Sequence, residues 1–95
     1  MIFQPLPGGG SGGLEVLGIK TANGSNTTLS FSKPVKVVMF WVFSDGDGTT
    51  AGGCASPSEN YYETIGDKNV FIEVSGNTVN VIRNEFNEGT YLALG

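Results

Sequence analysis

The sequence predicts a small all-β domain, an antiparallel β-sandwich of six or seven short strands carrying an extended glycine-rich N-terminal arm. Three observations predict it. Short apolar runs rich in Val, Ile, Thr and aromatic residues recur along the chain, separated by Gly, Asn, Ser and Pro turn clusters. Glycine is common, at 15 of 95 residues, and no stretch carries a convincing helical period. Only 15% of the residues are charged, against ~25% in an ordinary domain. Asn, Ser and Thr supply the polar surface instead, a mix that suits strands joined by turns.

Ninety-five residues make one domain. It divides into an arm, 1–13, and a sandwich, 14–95. The arm reads MIFQPLPGGGSGG. Pro5 and Pro7 favour an extended backbone, and the Gly/Ser run 8–13 is linker-like. Ile2, Phe3 and Leu6 lie on the far side of that tether. They are either a frayed terminus or an extended segment that docks on another surface. With Pro5 they form the candidate docking arm.

Leu14 to Ala22 is β-compatible but interrupted by Gly18. Asn23-Gly24-Ser25 marks a turn. Asn26 to Ser32 alternates, as a half-buried strand does, and Lys33-Pro34 ends it. Val35 to Phe43, VKVVMFWVF, is the strongest signal in the chain. One side carries Val35, Val37, Met39, Trp41 and Phe43, the other Lys36, Val38, Phe40 and Val42. An antiparallel strand usually keeps one wet face, and this one is apolar on both. The pattern predicts a central strand covered twice, with Val37, Met39, Trp41 and Phe43 buried. One cover is the opposite sheet. The other is a long loop, the arm or a neighbouring subunit.

Ser44 to Asn60 reads as a long polar loop, a length that is usually functional or disordered. Tyr61 to Ile65 is a short strand. Val70 to Val74 and Thr78 to Ile82 flank Ser75-Gly76-Asn77 as a hairpin. Thr90 to Leu94 is the last strand.

The chain has no histidine and one cysteine, Cys54. That removes the usual general base, the Ser-His and Cys-His nucleophiles, the common zinc sites and any internal disulfide. No cofactor is expected, and the chain reads as no enzyme. Net charge is −4, and Lys20, Lys33, Lys36, Lys68 and Arg83 form no cluster, which sets nucleic acid aside as a partner. No apolar run approaches ~18 residues, so no membrane insertion is expected, and no signal peptide is evident. Asp45 and Asp47 have the spacing of a calcium loop, but the twelfth position is Ser56 rather than an acid. A looser calcium site stays open beside the plainer reading of a solvated turn. Tyr61 and Tyr62 flank the long loop, so they and Asp45 and Asp47 form the candidate recognition surface.

The order of features resembles the small tail-fibre-like β-sandwich proteins of bacteriophages and prophages. The resemblance rests on Asn23-Gly24-Ser25-Asn26-Thr27-Thr28-Leu29, on Ser32-Lys33-Pro34-Val35-Lys36-Val37-Val38 and on Asn87-Glu88-Gly89-Thr90-Tyr91-Leu92-Ala93-Leu94-Gly95. It covers roughly residues 22–43 and 76–95. It implies a virion structural protein made in the host cytoplasm, a homo-oligomer that is often trimeric, with loops turned toward the host. Its partners would be other virion proteins, in the tail hub, baseplate or capsid. Phage fibres are usually longer, and this chain has no fibrous repeat. A capsid decoration protein gripping the shell with its arm is one alternative. A carbohydrate-binding module reading a host-surface glycan through Tyr61, Tyr62 and the 44–60 loop is another.

Overall fold

Alternation decides which side of a strand enters a core, and the central strand over Val37–Phe43 follows it strictly. Val38, Phe40 and Val42 are buried, whereas Met39, Trp41 and Phe43 point the other way and stay exposed. The computed structural model describes residues 13–95, and the docking-arm expectation for Ile2, Phe3, Pro5 and Leu6 lies outside the described residues. In chain order the strands are β1 (Val16–Ala22), β2 (Thr27–Ser30), β3 (Val37–Phe43), β4 (Thr50–Ala55), β5 (Tyr61–Ile65), β6 (Lys68–Ser75), β7 (Thr78–Asn84) and β8 (Glu88–Leu94). They form two four-stranded antiparallel sheets. Sheet A has the order β1-β8-β3-β4, and sheet B the order β2-β7-β6-β5.

The two sheets share one core. Sheet A contributes Ala22, Val38, Phe40, Val42, Ala55, Tyr91 and Ala93, and sheet B contributes Leu29, Val70, Ile72, Val74, Val79 and Val81. Val35 and Phe86 enter from connecting segments. Burying each valine, leucine, isoleucine or phenylalanine among them contributes ~1.5–3 kcal/mol, which makes this interior the main source of stability.

Two hairpins in sheet B close through two-residue loops. Ile65 pairs with Lys68 around Gly66-Asp67, and Ser75 pairs with Thr78 around Gly76-Asn77. Gly66 and Gly76 have φ of 65° and 57°. Glycine at the first central position is what a type II′ turn requires, and that turn matches the twist of the flanking strands. The Thr78 hydroxyl adds a bond to the Ser75 carbonyl at 2.7 Å.

Two expectations are corrected. Eight strands form rather than six or seven, because the segment read as a 44–60 loop contains β4. Its sequence, TAGGCA, has weak strand preference on its own. Pairing with β3, from Val38–Ala55 through Phe43–Thr50, recruits it, a case of tertiary context overriding local propensity. The second correction concerns β3. Val37 is half-buried, and Met39, Trp41 and Phe43 are 48%, 51% and 36% exposed rather than core. The long segment that could have covered them is instead an edge strand in the same sheet, lying beside β3 and not over it.

Candidate functional site: the outer face of sheet A

The register across sheet A stacks outward-facing residues into rows. Val16, Leu94 and Val37 form the first, and Ile19, Leu92, Met39 and Cys54 the second. Thr21, Thr90, Trp41 and Gly52 form the third, and Glu88, Phe43 and Thr50 close the face. Val16 and Ile19 are 64% and 63% exposed. The first two rows and the Trp41–Phe43 side are thus an apolar surface, with polar atoms confined to threonines and one end.

Sheet B is the contrast. Its outward positions include Thr28 opposite Asn80, which is in turn opposite Glu73, and Ser30 opposite Thr78, which is opposite Ser75. The Thr28 hydroxyl bonds the Asn80 side chain at 3.1 Å. The β2–β7–β6 side of this face is therefore dressed for water, and Tyr62 on Phe71 is a smaller apolar spot at its β5 edge. Scattered apolar residues on a surface need no explanation, but a contiguous set on one sheet face marks an interaction site.

Comparison with protein-family models, with curated proteins and with solved structures finds no match. The face is read from its own residues.

The residues expected to form one recognition surface are not brought together. Tyr61 and Tyr62 are successive in β5 and point to opposite sides. Tyr61 turns inward, its ring 4.9 Å from Phe40 at 80°, and its hydroxyl donates to the Glu63 carboxylate. Burial, followed by that carboxylate, pushes its phenol up to about 12. Tyr62 is 64% exposed and packs edge-on against Phe71 at 5.4 Å. A shallow cleft of about 370 Å³ between β4 and β5 is lined by Cys54, Ser56, Glu59, Asn60, Tyr61 and Tyr62. Asp45 and Asp47 sit in the β3–β4 turn, at the other end of β4, about 17 Å along the strand.

That turn is braced rather than open. Ser44 Oγ and the Asp45 amide both donate to Asn87 Oδ1, at 3.0 and 2.9 Å. Asp47 Oδ1 accepts from the Thr49 hydroxyl at 2.7 Å and from its amide at 3.1 Å. Those bonds, with Lys68 at 3.6 Å, hold the Asp47 carboxyl below its usual range. A hydrogen bond with Asp45 raises the Glu88 carboxyl above its usual range. Among the described residues no group of three or more His, Cys, Asp or Glu side chains is placed to hold a metal ion.

The sequence signal for the apolar face lies in β3, whose second apolar side predicts a second layer of core rather than an open face. The partners Ile19, Leu92 and Val16 could be found only from register. Cys54, expected in a loop, stands exposed on β4 opposite Met39. Gly53, also on β4, faces inward, where an added Cβ would lie 2.5 Å from the Tyr61 ring. Phe40 holds that ring in place, so Gly53→Ala is expected to cost ~1–3 kcal/mol through overpacking. A urea titration of the two chains checks it, and an unchanged midpoint would show that Tyr61 swings free.

Proposed function

We propose that this chain is a non-catalytic structural protein of a bacteriophage virion, of the tail or tail-fibre type, which oligomerises and docks on its particle through the outer face of sheet A and the N-terminal arm. The observation that carries the docking part is the asymmetry between the two sheets. Sheet A exposes Val16, Ile19, Met39, Trp41 and Phe43, while the outer positions of sheet B are mostly threonine, serine, asparagine and glutamate, with Tyr62 as its one large exposed apolar side chain among the described residues. Covering side chains of the first kind contributes roughly 25 cal/mol for each Å² removed from water. Trp41, near the middle of the patch, is the residue type most enriched among binding hot spots. The virion part rests on the resemblance of residues 22–43 and 76–95, which implies partners among tail hub, baseplate or capsid proteins.

The test is incorporation. A chain carrying Met39→Lys and Trp41→Lys is expected to keep its stability within about 0.5 kcal/mol, as exposed positions usually do. It should be excluded from phage particles assembled in the presence of the tagged chain. Wild-type incorporation of this variant would overturn the docking reading. Cross-linking of the incorporated wild type distinguishes a tail position from a capsid decoration role by the protein it joins.

A carbohydrate-binding reading is favoured by Tyr62 alone, the exposed ring beside the β4–β5 cleft. Tyr61 supports it only as a wall, since its ring is packed on Phe40. That reading expects glycan-array signal lost in Tyr62→Ala, and a blank array for the wild type would remove it.

A further inference from the structure

An interface between two identical chains around a two-fold axis must match its own rotated image. The outer face of sheet A has that property. Its strand order is β1-β8-β3-β4, and its relief alternates from strand to strand. Val16 and Ile19 on β1 stand exposed, as do Met39, Trp41 and Phe43 on β3. Between these two ridges Thr90, Leu92 and Leu94 of β8 lie half-buried. Beyond β3, the outward positions of β4 carry only the small residues Thr50, Gly52 and Cys54. A two-fold axis parallel to the strands, midway between two facing sheets, reverses this order in the second copy. β1 of one copy then lies over β4 of the other, and β3 over β8. Each ridge meets a furrow, and each row meets the same row. Strands running within ~30° of one another are the ordinary arrangement of aligned stacked sheets.

The accessible area is sufficient. The five ridge residues are between 36% and 64% exposed, and side chains of their kinds offer roughly 100–250 Å² each when fully open. They present on the order of 500 Å² of apolar surface, and the smaller residues between them bring the face to roughly 700–800 Å². Each partner of a stable complex buries ~600–1,000 Å². Charge permits the approach as well. Two copies of a chain with a net charge of −4 repel, but among the outward-facing strand positions of sheet A only Glu88 is charged, and it lies at one end.

We propose that the outer face of sheet A is covered by a second copy of this chain, laid sheet to sheet around a two-fold axis parallel to the strands. Trp41 of each copy packs over β8 of the other in the row of Thr90, and Ile19 of each packs over Cys54 of the other. The inference rests on reading this face as a docking surface, and it names what docks there.

Trp41 is the single tryptophan, so it reports on the face directly. Sedimentation of the full chain should show a dimer that dissociates on dilution, with Trp41 emission moving to the red as it does. Trp41→Lys should weaken the dimer roughly thirtyfold or more, as loss of a central hot spot does. Met39→Lys, measured the same way, covers the case where Trp41→Lys fails to fold. Cross-linking reads the arrangement. Ile19 and Cys54 of one chain share a row three strand spacings apart, about 14 Å, whereas between copies they face each other. Ile19→Cys should therefore join to Cys54 of the second copy through a short bifunctional thiol reagent, giving a dimer band on a denaturing gel. The wild type should give none, because its Cys54 residues lie at opposite edges of the interface. Ile19→Cys combined with Cys54→Ser should give none for the same reason.

A monomer at every concentration overturns the inference, and a shielded Trp41 in that monomer would assign the face to a segment of its own chain. A dimer that persists in both lysine variants places the contact elsewhere and overturns it too. So does a dimer that cross-links through Cys54 alone, which requires a different axis. A monomer that still incorporates into particles would sink this inference and leave the docking reading standing. A dimer of the expected kind that never incorporates would do the reverse.

Discussion

Tyr91→Ala is expected to cost roughly 3–5 kcal/mol of folding stability, the usual range for removing a large buried ring. Tyr91 is fully buried on β8, in the middle of sheet A. Its ring stacks on Phe40 at 6.0 Å and lies over Gly89, two residues earlier on the same strand, where a Cβ would lie 2.6 Å from the tyrosine hydroxyl. The site is walled by strands on both sides and collapses poorly, which puts the loss toward the upper end. Small domains carry only ~5–15 kcal/mol in total, so thermal denaturation of the variant should show a large fall in midpoint or no transition. A drop of under 1 kcal/mol would mean that the interior is far softer than its packing implies.

The same ring makes stability sensitive to alkali. Burial raises the Tyr91 phenol from 10.0 to about 12, overriding the lowering effect of its bond with Asn84. A phenol in the unfolded chain ionises near 10, so the folded form holds its proton more tightly. Stability is full below pH 10 and falls as the pH climbs toward 12, by about 3 kcal/mol for a two-unit difference. Tyr61 acts in the same direction with a smaller effect, since it is partly open to solvent. Denaturant midpoints of Tyr91→Phe measured from pH 9 to 12 should flatten relative to the wild type. A parallel alkaline decline in both chains would assign the effect elsewhere.

Asn84→Ala is expected to cost ~2–3 kcal/mol, more than the missing atoms alone would suggest. Asn84 is 1% exposed at the end of β7. Its Oδ1 accepts the Phe86 amide at 3.0 Å, and its Nδ2 reaches the Tyr91 hydroxyl at 3.5 Å. Alanine leaves a buried N–H with no acceptor, which carries a penalty of ~1–3 kcal/mol, and a small void is added to it. The bond to Phe86 also turns the chain so that Phe86 enters the core between β7 and β8. Equilibrium unfolding of Asn84→Ala beside Phe86→Ala in a double-mutant cycle should reveal coupling between them. Strict additivity would show that the amide bond does not position the ring.

Much of this fold was legible because alternation is a strong signal where a strand has one wet side. β2, β5 and the β6–β7 hairpin lie where their sequences place them, and Gly18 sits at the register shift between Val16 and Gly18. β4 was illegible because Gly52 and Gly53 offer no side chain to pattern and the strand exists through its pairing with β3. The outer face was half legible. Met39, Trp41 and Phe43 declared themselves, but their surroundings depended on the identity of β3's neighbours, and strand order is not written in local periodicity. Asn84 gave no advance sign, since one asparagine among many looks like turn material until burial singles it out. The residues expected to form one recognition surface lie apart for a similar reason. Asp45, Asp47 and Tyr61 bracket one loop in sequence, but the hidden strand between them holds the two ends apart.

β8 lies between β1 and β3 in sheet A, which has a consequence for synthesis. A ribosome delivers β1 and β3 before the strand that joins them, so sheet A cannot close until β8 has emerged. β5, β6 and β7 follow one another through tight turns and can pair as they appear. The nascent protein therefore passes through a stage with one sheet formed and the other sheet's apolar residues, on both surfaces, waiting for their centre. That interval is when premature association is most dangerous, and mutations that slow the docking of β8 should lower soluble yield more than equilibrium stability alone would forecast.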